Sequence, residues 1–176
     1  MNLSEYIRSI PDYPKPGIVF RDITTLLEHP AALHAAADQL VEACTGMNID
    51  KVAVVESRGF LLGGIVAYLL GAGLVIIRKK GKLPSATHRV EYALEYGTDC
   101  IEIHQDSISP GERILLHDDL LATGGTMAAA AELVKQTGGE IMGASFLIEL
   151  SFLHGRELLT RLGVPTLHSL VDYQSE

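Results

Sequence analysis

Hydrophobic positions recur along this chain with two periods, and their alternation lays out an order of elements. Residues 3–10 carry apolar side chains at helical spacing ahead of Pro11, which predicts a short amphipathic helix; the PDYPKPG that follows is a rigid arm leading into IVFRDIT. From Pro30 onward Leu33, Ala36, Ala37, Leu40, Val41 and Cys44 mark a second helix, with Gly46 suited to its stop. KVAVV at 51–55 is a short β-branched run; after ESRGF, the segment LLGGIVAYLLG is helix-length and closes at Gly71. The next apolar run is 74–77, followed by a basic loop, RKKGKLP. RVEYALEY and TDCIEIH alternate with period two, predicting a two-stranded ribbon with one wet face, and the turn ISPGE ends it. Residues 114–116 make a third buried strand, 126–137 a helix stopped by Gly138-Gly139, and 141–150 a fourth strand.

Strand, loop and helix therefore repeat, which implies βαβ units: an α/β fold with a mostly parallel sheet flanked by helices on both faces. With 176 residues, 47% of them hydrophobic, the chain is expected to form one domain with a sizeable core. Ligands of such folds sit outside the C-terminal ends of the strands. The loops that matter are then ESRG, RKKGK, HDDLLATGGT and IELSF.

Charge narrows the ligand. Fourteen Lys and Arg against 22 Asp and Glu give a net charge of -8, a field that repels a nucleic-acid backbone, so any phosphate must be held by a local site. Cys44 and Cys100 form no CxxC pair and suit small buried side chains in a reducing cytoplasm. The N-terminus lacks a basic segment followed by an apolar run, and the most apolar stretch, 60–77, is broken by four glycines; neither export nor membrane insertion is expected.

Local sites are present. In ILLHDDLLATGGT, Thr123, Gly124, Gly125 and Thr126 follow a strand and open a helix, where unpaired N–H groups and the helix dipole favour an anion. This is neither a GxxxxGK[ST] loop nor a GxGxxG turn, and taken alone it reads equally well as a threonine-capped tight turn. Asp118 and Asp119 tip the balance. Adjacent carboxylates repel unless donors or a metal offset them, and sugar hydroxyls or hydrated Mg²⁺ would do so. A carboxylate pair before a phosphate loop suits a phosphorylated sugar. On an acidic chain Arg58, Arg78, Lys79, Lys80 and Lys82 converge on other strand ends, where a second phosphate would sit; Lys80 suits a solvated surface position.

LLHDDLLATGGT resembles the phosphoribosyl pyrophosphate motif of type I phosphoribosyltransferases. Together with PGIVFRDIT, ESRGF, RKKGKLP, ALEYG and IELSFLHGRE, in order over nearly the whole chain, it is similar in particular to the adenine phosphoribosyltransferases. The resemblance implies the type I fold, with a small N-terminal hood over the base at about residues 1–28 and a flexible catalytic loop. It implies conversion of adenine and phosphoribosyl pyrophosphate to AMP and pyrophosphate in purine salvage, by displacement at the ribose C1 atom through an oxocarbenium-like state. Mg²⁺ is implied as a cofactor carried by the sugar pyrophosphate, with no protein ligand assigned, and a homodimer is expected.

Residue by residue, it implies that Ala122, Thr123, Gly124, Gly125 and Thr126 bind the 5-phosphate and that Asp118 and Asp119 hold the ribose hydroxyls. Ser57, Arg58, Arg78, Lys79 and Lys82 would hold pyrophosphate, with a cis peptide at or near Glu56-Ser57. Phe20 would stack on adenine, main-chain groups of Val19 and Arg21 would read its edge, and Leu150 would close the other face, although Phe20 also suits a core aromatic. Glu95, on the loop with Tyr96, would take or stabilise the purine N7 proton; Glu95, Arg58 and Tyr96 are the catalytic candidates. One position departs from the pattern. His117 stands where the family usually has an aliphatic residue, and a satisfied core histidine is the favoured reading. Two rivals are a transferase for a 6-oxopurine, which the hood sequence disfavours, and the effector domain of a regulator, for which the charge is too acidic and the N-terminal arm too short.

Overall fold

The four consecutive apolar residues of KVAVV, 52–55, need burial on both faces of a sheet, and the chain supplies it with helices on either side. The computed structural model describes residues 1–93 and 97–175. In chain order its elements are β1 (Arg8–Ile10), β2 (Phe20–Asp22), α1 (Thr24–Leu27), α2 (Pro30–Glu42), β3 (Lys51–Val55), α3 (Gly59–Leu70), β4 (Gly73–Lys79), β5 (Thr87–Ala93), β6 (Thr98–His104), β7 (Arg113–Leu121), α4 (Gly125–Thr137), β8 (Glu140–Leu150), α5 (Gly155–Arg161) and β9 (Leu167–Tyr173). Seven strands form one sheet in the order β5-β6-β4-β3-β7-β8-β9, and β1 pairs with β2 separately. β4, β3, β7, β8 and β9 run parallel; β6 and β5 are antiparallel at one edge.

The strand β3 divides the core. Ala53 and Val55 face the cluster that α4 completes with Met127, Leu133 and Val134, while Val52 and Val54 face α2 and α3 through Leu40, Leu62 and Val66. At Gly63 a Cβ would lie 2.2 Å from Val54 Cγ1, so α3 packs on β3 at a distance only glycine permits. No helix among the described residues is long and apolar enough to cross a membrane.

Four expectations change. Residues 3–10 are not one helix: Leu3–Tyr6 form a 3₁₀ turn and β1 follows, with Ile10 opposite Phe20 and Arg8 opposite Asp22. Eight residues are too few to sustain a helix, and Pro11 biases Ile10 to extended backbone, so the ladder with β2 wins. The strand predicted over 114–116 runs on to Leu121 and takes both aspartates with it, because β8 offers ladder partners as far as Glu149. The ribbon of β5 and β6 does not stand alone with a wet face; β6 joins β4, and Ile101, Glu102 and Ile103 are buried in succession. α5 and β9, with β9 at the sheet edge, lie beyond the last element the hydrophobic pattern marked.

Candidate active site

Because β4, β3, β7 and β8 are neighbours in a parallel array, their C-terminal ends bring all four suspected loops to one edge of the sheet. The phosphate loop is the turn between β7 and α4. Gly124 adopts φ +84°, a left-handed conformation that favours glycine, and no side-chain hydrogen bond caps α4 among the described residues. The first-turn N–H groups of α4 are therefore free for an anion. A cavity of about 190 Å³ lies against Arg58, the two aspartates and residues 120–127.

Asp119 is almost completely buried, and its Oδ2 lies 2.9 Å from Nε of the partly exposed Arg58. The contact is electrostatic: that oxygen accepts no well-aligned hydrogen bond among the described residues. Asp118 Oδ1 accepts the backbone N–H of Asp119 at 2.9 Å, and a Cβ on Gly59 would sit 2.8 Å from the same oxygen. The start of α3 thus touches the acid pair. Burial, then the neighbouring Asp119 charge, pushes the Asp118 carboxyl well above the usual carboxylate range. Burial raises Asp119 too, with Arg58 pulling the other way. Two buried acids short of donors form a site for hydroxyls or a hydrated cation, either of which would favour their ionised forms.

Beside them, the Glu56-Ser57 peptide is cis, as expected. The Glu56 carboxylate accepts from Arg78 Nε at 3.2 Å and Nη2 at 3.1 Å, and from the Lys79 backbone N–H at 3.0 Å. Arg78 holds that carboxyl below its ordinary range and also donates to the Lys82 carbonyl, so in this state its guanidinium ties two loops together. Lys79 Nζ lies 3.3 Å from Asp99 Oδ2, which also accepts from the Tyr92 hydroxyl at 3.4 Å. Lys82 is exposed on the turn after β4. Phe20, Ser57, Arg58, Lys79, Tyr92 and Thr126 are among the walls of a chamber of about 490 Å³ that shares the aspartates with the smaller cavity.

Strand alternation splits the hood residues. Val19, Arg21 and Leu150 line a cavity of about 380 Å³ with Thr123, whereas Phe20 points into the larger chamber. Phe20 also borders a neighbouring cavity of about 360 Å³ lined by Tyr13 and Leu61; its ring meets Tyr13 edge-on at 5.3 Å, and the Arg58 guanidinium carbon is 5.3 Å from its centroid. The Arg21 guanidinium lies 3.8 Å over the Tyr173 ring. Glu95 and Tyr96 lie outside the described residues. His117 is fully buried, with Nδ1 2.9 Å from Ser145 Oγ; burial lowers its pKa to about 4, so it is a neutral core group, but only half satisfied, because its Nε2 has no hydrogen-bond partner among the described residues.

Tyr92, Asp99, Glu56 and the pair of buried Glu149 with partly exposed Arg156 were not singled out in the sequence. Each gains its place from a partner that the fold brings to it: Asp99 is opposite Tyr92 only through the ribbon register, Arg156 returns to Glu149 through the turn before α5, and Glu56 meets Arg78 only because β3 and β4 are parallel neighbours.

Comparison with known proteins agrees with this geometry. A family model described as a phosphoribosyl transferase domain matches residues 22–156. The adenine phosphoribosyltransferase of Rhizobium leguminosarum bv. trifolii is 56% identical over 171 residues, covering 97% of this chain and 94% of its own. The crystal structure of adenine phosphoribosyltransferase from Thermoanaerobacter pseudethanolicus superposes with a TM-score of 0.92 at 46% identity, over 97% of this chain and 98% of that one. That from Saccharomyces cerevisiae, complexed with an imino-altritol bisphosphate and adenine, gives 0.88 at 37% identity over 96% of each chain.

Proposed function

The chain belongs to the phosphoribosyltransferase family, and from that premise we propose how its cleft carries out the reaction. The enzyme transfers the phosphoribosyl group of phosphoribosyl pyrophosphate to adenine, yielding AMP and pyrophosphate in purine salvage. The observation that supports the residue roles best is the acid pair and the α4 amino terminus on one cavity wall, since no other ligand class needs both together.

In this reading residues 122–126 take the 5-phosphate on free N–H groups, and Asp118 and Asp119 accept from the ribose hydroxyls. Ser57, Arg58 and Lys79 line the proposed pyrophosphate chamber; Arg78, held by Glu56 and the Lys82 carbonyl, and Lys82 are not among its walls in this structure and would have to reach it from the turn after β4. The C1–oxygen bond breaks with its electron pair leaving on pyrophosphate, while adenine N9 bonds to C1 and the base loses a proton. Glu95 is proposed to take that proton at N7, with Tyr96 beside it in sequence. Adenine is proposed to lie against β2, its edge read by main-chain groups of Val19 and Arg21 and one face closed by Leu150; Phe20, which lines a different cavity from those three in this structure, would have to turn its ring to the base to stack on it. The buried Asp119 Oδ2, in ion-pair contact with Arg58 but accepting no well-aligned hydrogen bond among the described residues, would suit a hydrated Mg²⁺ brought in by the substrate; such an ion would neutralise charge on the leaving pyrophosphate. Catalysis then consists mainly of positioning and charge stabilisation.

A cytoplasmic setting is proposed from the two free, buried thiols, and a homodimer from an apolar surface on α3 and β4. Turnover with adenine, guanine and hypoxanthine in parallel, with and without Mg²⁺, tests the reading. AMP formation from adenine alone, dependent on Mg²⁺, is expected; equal use of hypoxanthine would overturn the base assignment.

A further inference from the structure

The phosphate loop rests on a second backbone. A Cβ on Gly124 would lie 2.9 Å from the Gly155 carbonyl oxygen, and one on Gly155 would lie 2.2 Å from the Ala122 carbonyl oxygen and 3.0 Å from the Gly124 nitrogen. The start of α5 is therefore pressed against the loop with no room for a methyl group. α5 is a short helix, and the next residue, Arg156, anchors it. The Arg156 guanidinium donates through Nε to both oxygens of Glu149, at 2.9 and 3.2 Å, through Nη1 to the Leu167 carbonyl at 2.9 Å, and through Nη2 to Ser169 Oγ at 2.8 Å. The Ser169 hydroxyl in turn donates to Glu149. Glu149 is 4% exposed, sits opposite Leu121 at the end of β7, and precedes Leu150 in the base cavity.

We propose that Glu149, Arg156 and Ser169 are positioning residues that set the geometry of the phosphate loop, by holding the Gly155 backbone against residues 122–124. This rests on the phosphoribosyl-transfer reading for its substrate, but the mechanics need only a phosphate in the loop. A fork-shaped pair on a buried carboxylate is stiff even with Arg156 partly exposed: the planar guanidinium fixes α5 in direction as well as distance, which a lysine cannot do. Displacing Gly155 by part of an ångström would move the free N–H groups of α4 off the phosphate oxygens.

The test uses the full chain with Arg156→Lys and, separately, Gly155→Ala, which leaves every side chain of the cluster intact. Ribose 5-phosphate binding is followed by calorimetry, and the KM values for phosphoribosyl pyrophosphate and adenine are measured alongside kcat. Both variants are expected to weaken ribose 5-phosphate binding and raise the sugar-phosphate KM about tenfold or more, with a smaller change in kcat. Glu149→Gln, which keeps the shape of the side chain, replaces Arg156→Lys if that variant does not fold. Unchanged ribose 5-phosphate affinity in folded variants, with only the thermal midpoint lowered, would overturn the proposal. Failure of the wild type to turn over adenine would instead count against the activity, and the calorimetry would still decide the positioning role.

Discussion

Asp118 is worse placed than a neutral side chain until a ligand arrives. Its carboxyl is pushed up by burial and by Asp119, so the folded state holds a proton more tightly than the unfolded chain does. The sign follows: this group's contribution to stability is present at low pH and lost as pH rises above the ordinary carboxylate range. Asp118→Asn is thus expected to raise the thermal midpoint of the ligand-free protein at neutral pH by a few degrees, and to weaken ribose 5-phosphate binding about tenfold or more. A calorimetric scan and a titration check both halves; a lower midpoint would contradict the electrostatic account. His117 has the opposite slope. Its pKa falls to about 4, so between roughly pH 6.5 and 4 the unfolded chain takes up a proton that the native state refuses. Acidification through that window should cost up to about 3 kcal/mol through this group. The stability difference between wild type and His117→Val, followed by urea melts, should shift with pH only there.

At the scale of elements, α3 shows how one helix serves both core and site. Gly59 and Gly63 are one turn apart, and alanine at either would add about 1 kcal/mol of helix propensity. At Gly63 the new methyl meets Val54 at 2.2 Å, inside a packed core, where overpacking costs about 1–3 kcal/mol and outweighs the propensity gain. At Gly59 it meets the Asp118 carboxylate at 2.8 Å. Gly63→Ala should therefore lower stability with little change in KM, whereas Gly59→Ala, whose methyl also lies 3.1 Å from Asp118 Cα and 3.3 Å from the His117 carbonyl oxygen, should raise the sugar-phosphate KM; steady-state kinetics separate the two, and chemical denaturation measures the cost of each. The same helix shows what periodicity can and cannot reveal. LLGGIVAYLLG announces a buried helix by composition, and DDLLATGGT announces an anion site because its chemistry is local. The Glu149 clamp and the Tyr92, Asp99 and Lys79 cluster were invisible, since an isolated Arg, Tyr or Asp carries no mark of the partner that a turn or a strand register sets beside it. β1 was missed for a related reason: three residues become a strand only when β2 is there to pair with them.

For the molecule as a whole, the apolar surface left bare on one side of the sheet is the feature the single chain does not account for. Leu74 and Ile76 are 48% and 38% exposed, and their register partners Val52 and Val54 place them on the face that α3 covers only in part. Leu61, Tyr68 and Leu69 on α3 are 52%, 81% and 46% exposed. A second copy of the chain is the proposed cover, and a stable pair would bury about 800 Å² per partner. With a net charge of -8 on each copy, repulsion opposes association while the apolar contact favours it. Added salt screens the first and leaves the second, so the dimer should tighten with ionic strength, the reverse of a salt-bridged interface. Sedimentation equilibrium at micromolar concentration is expected to give the mass of two chains. Tyr68→Lys combined with Ile76→Lys should shift it to one, weakening association about a hundredfold, because two desolvated charges would enter the contact. Ile76 lies two residues before Arg78 on β4, so separated chains should also show a raised KM for phosphoribosyl pyrophosphate as the strand end loosens. A wild-type protein of one-chain mass at every concentration would remove the second copy from the site's architecture.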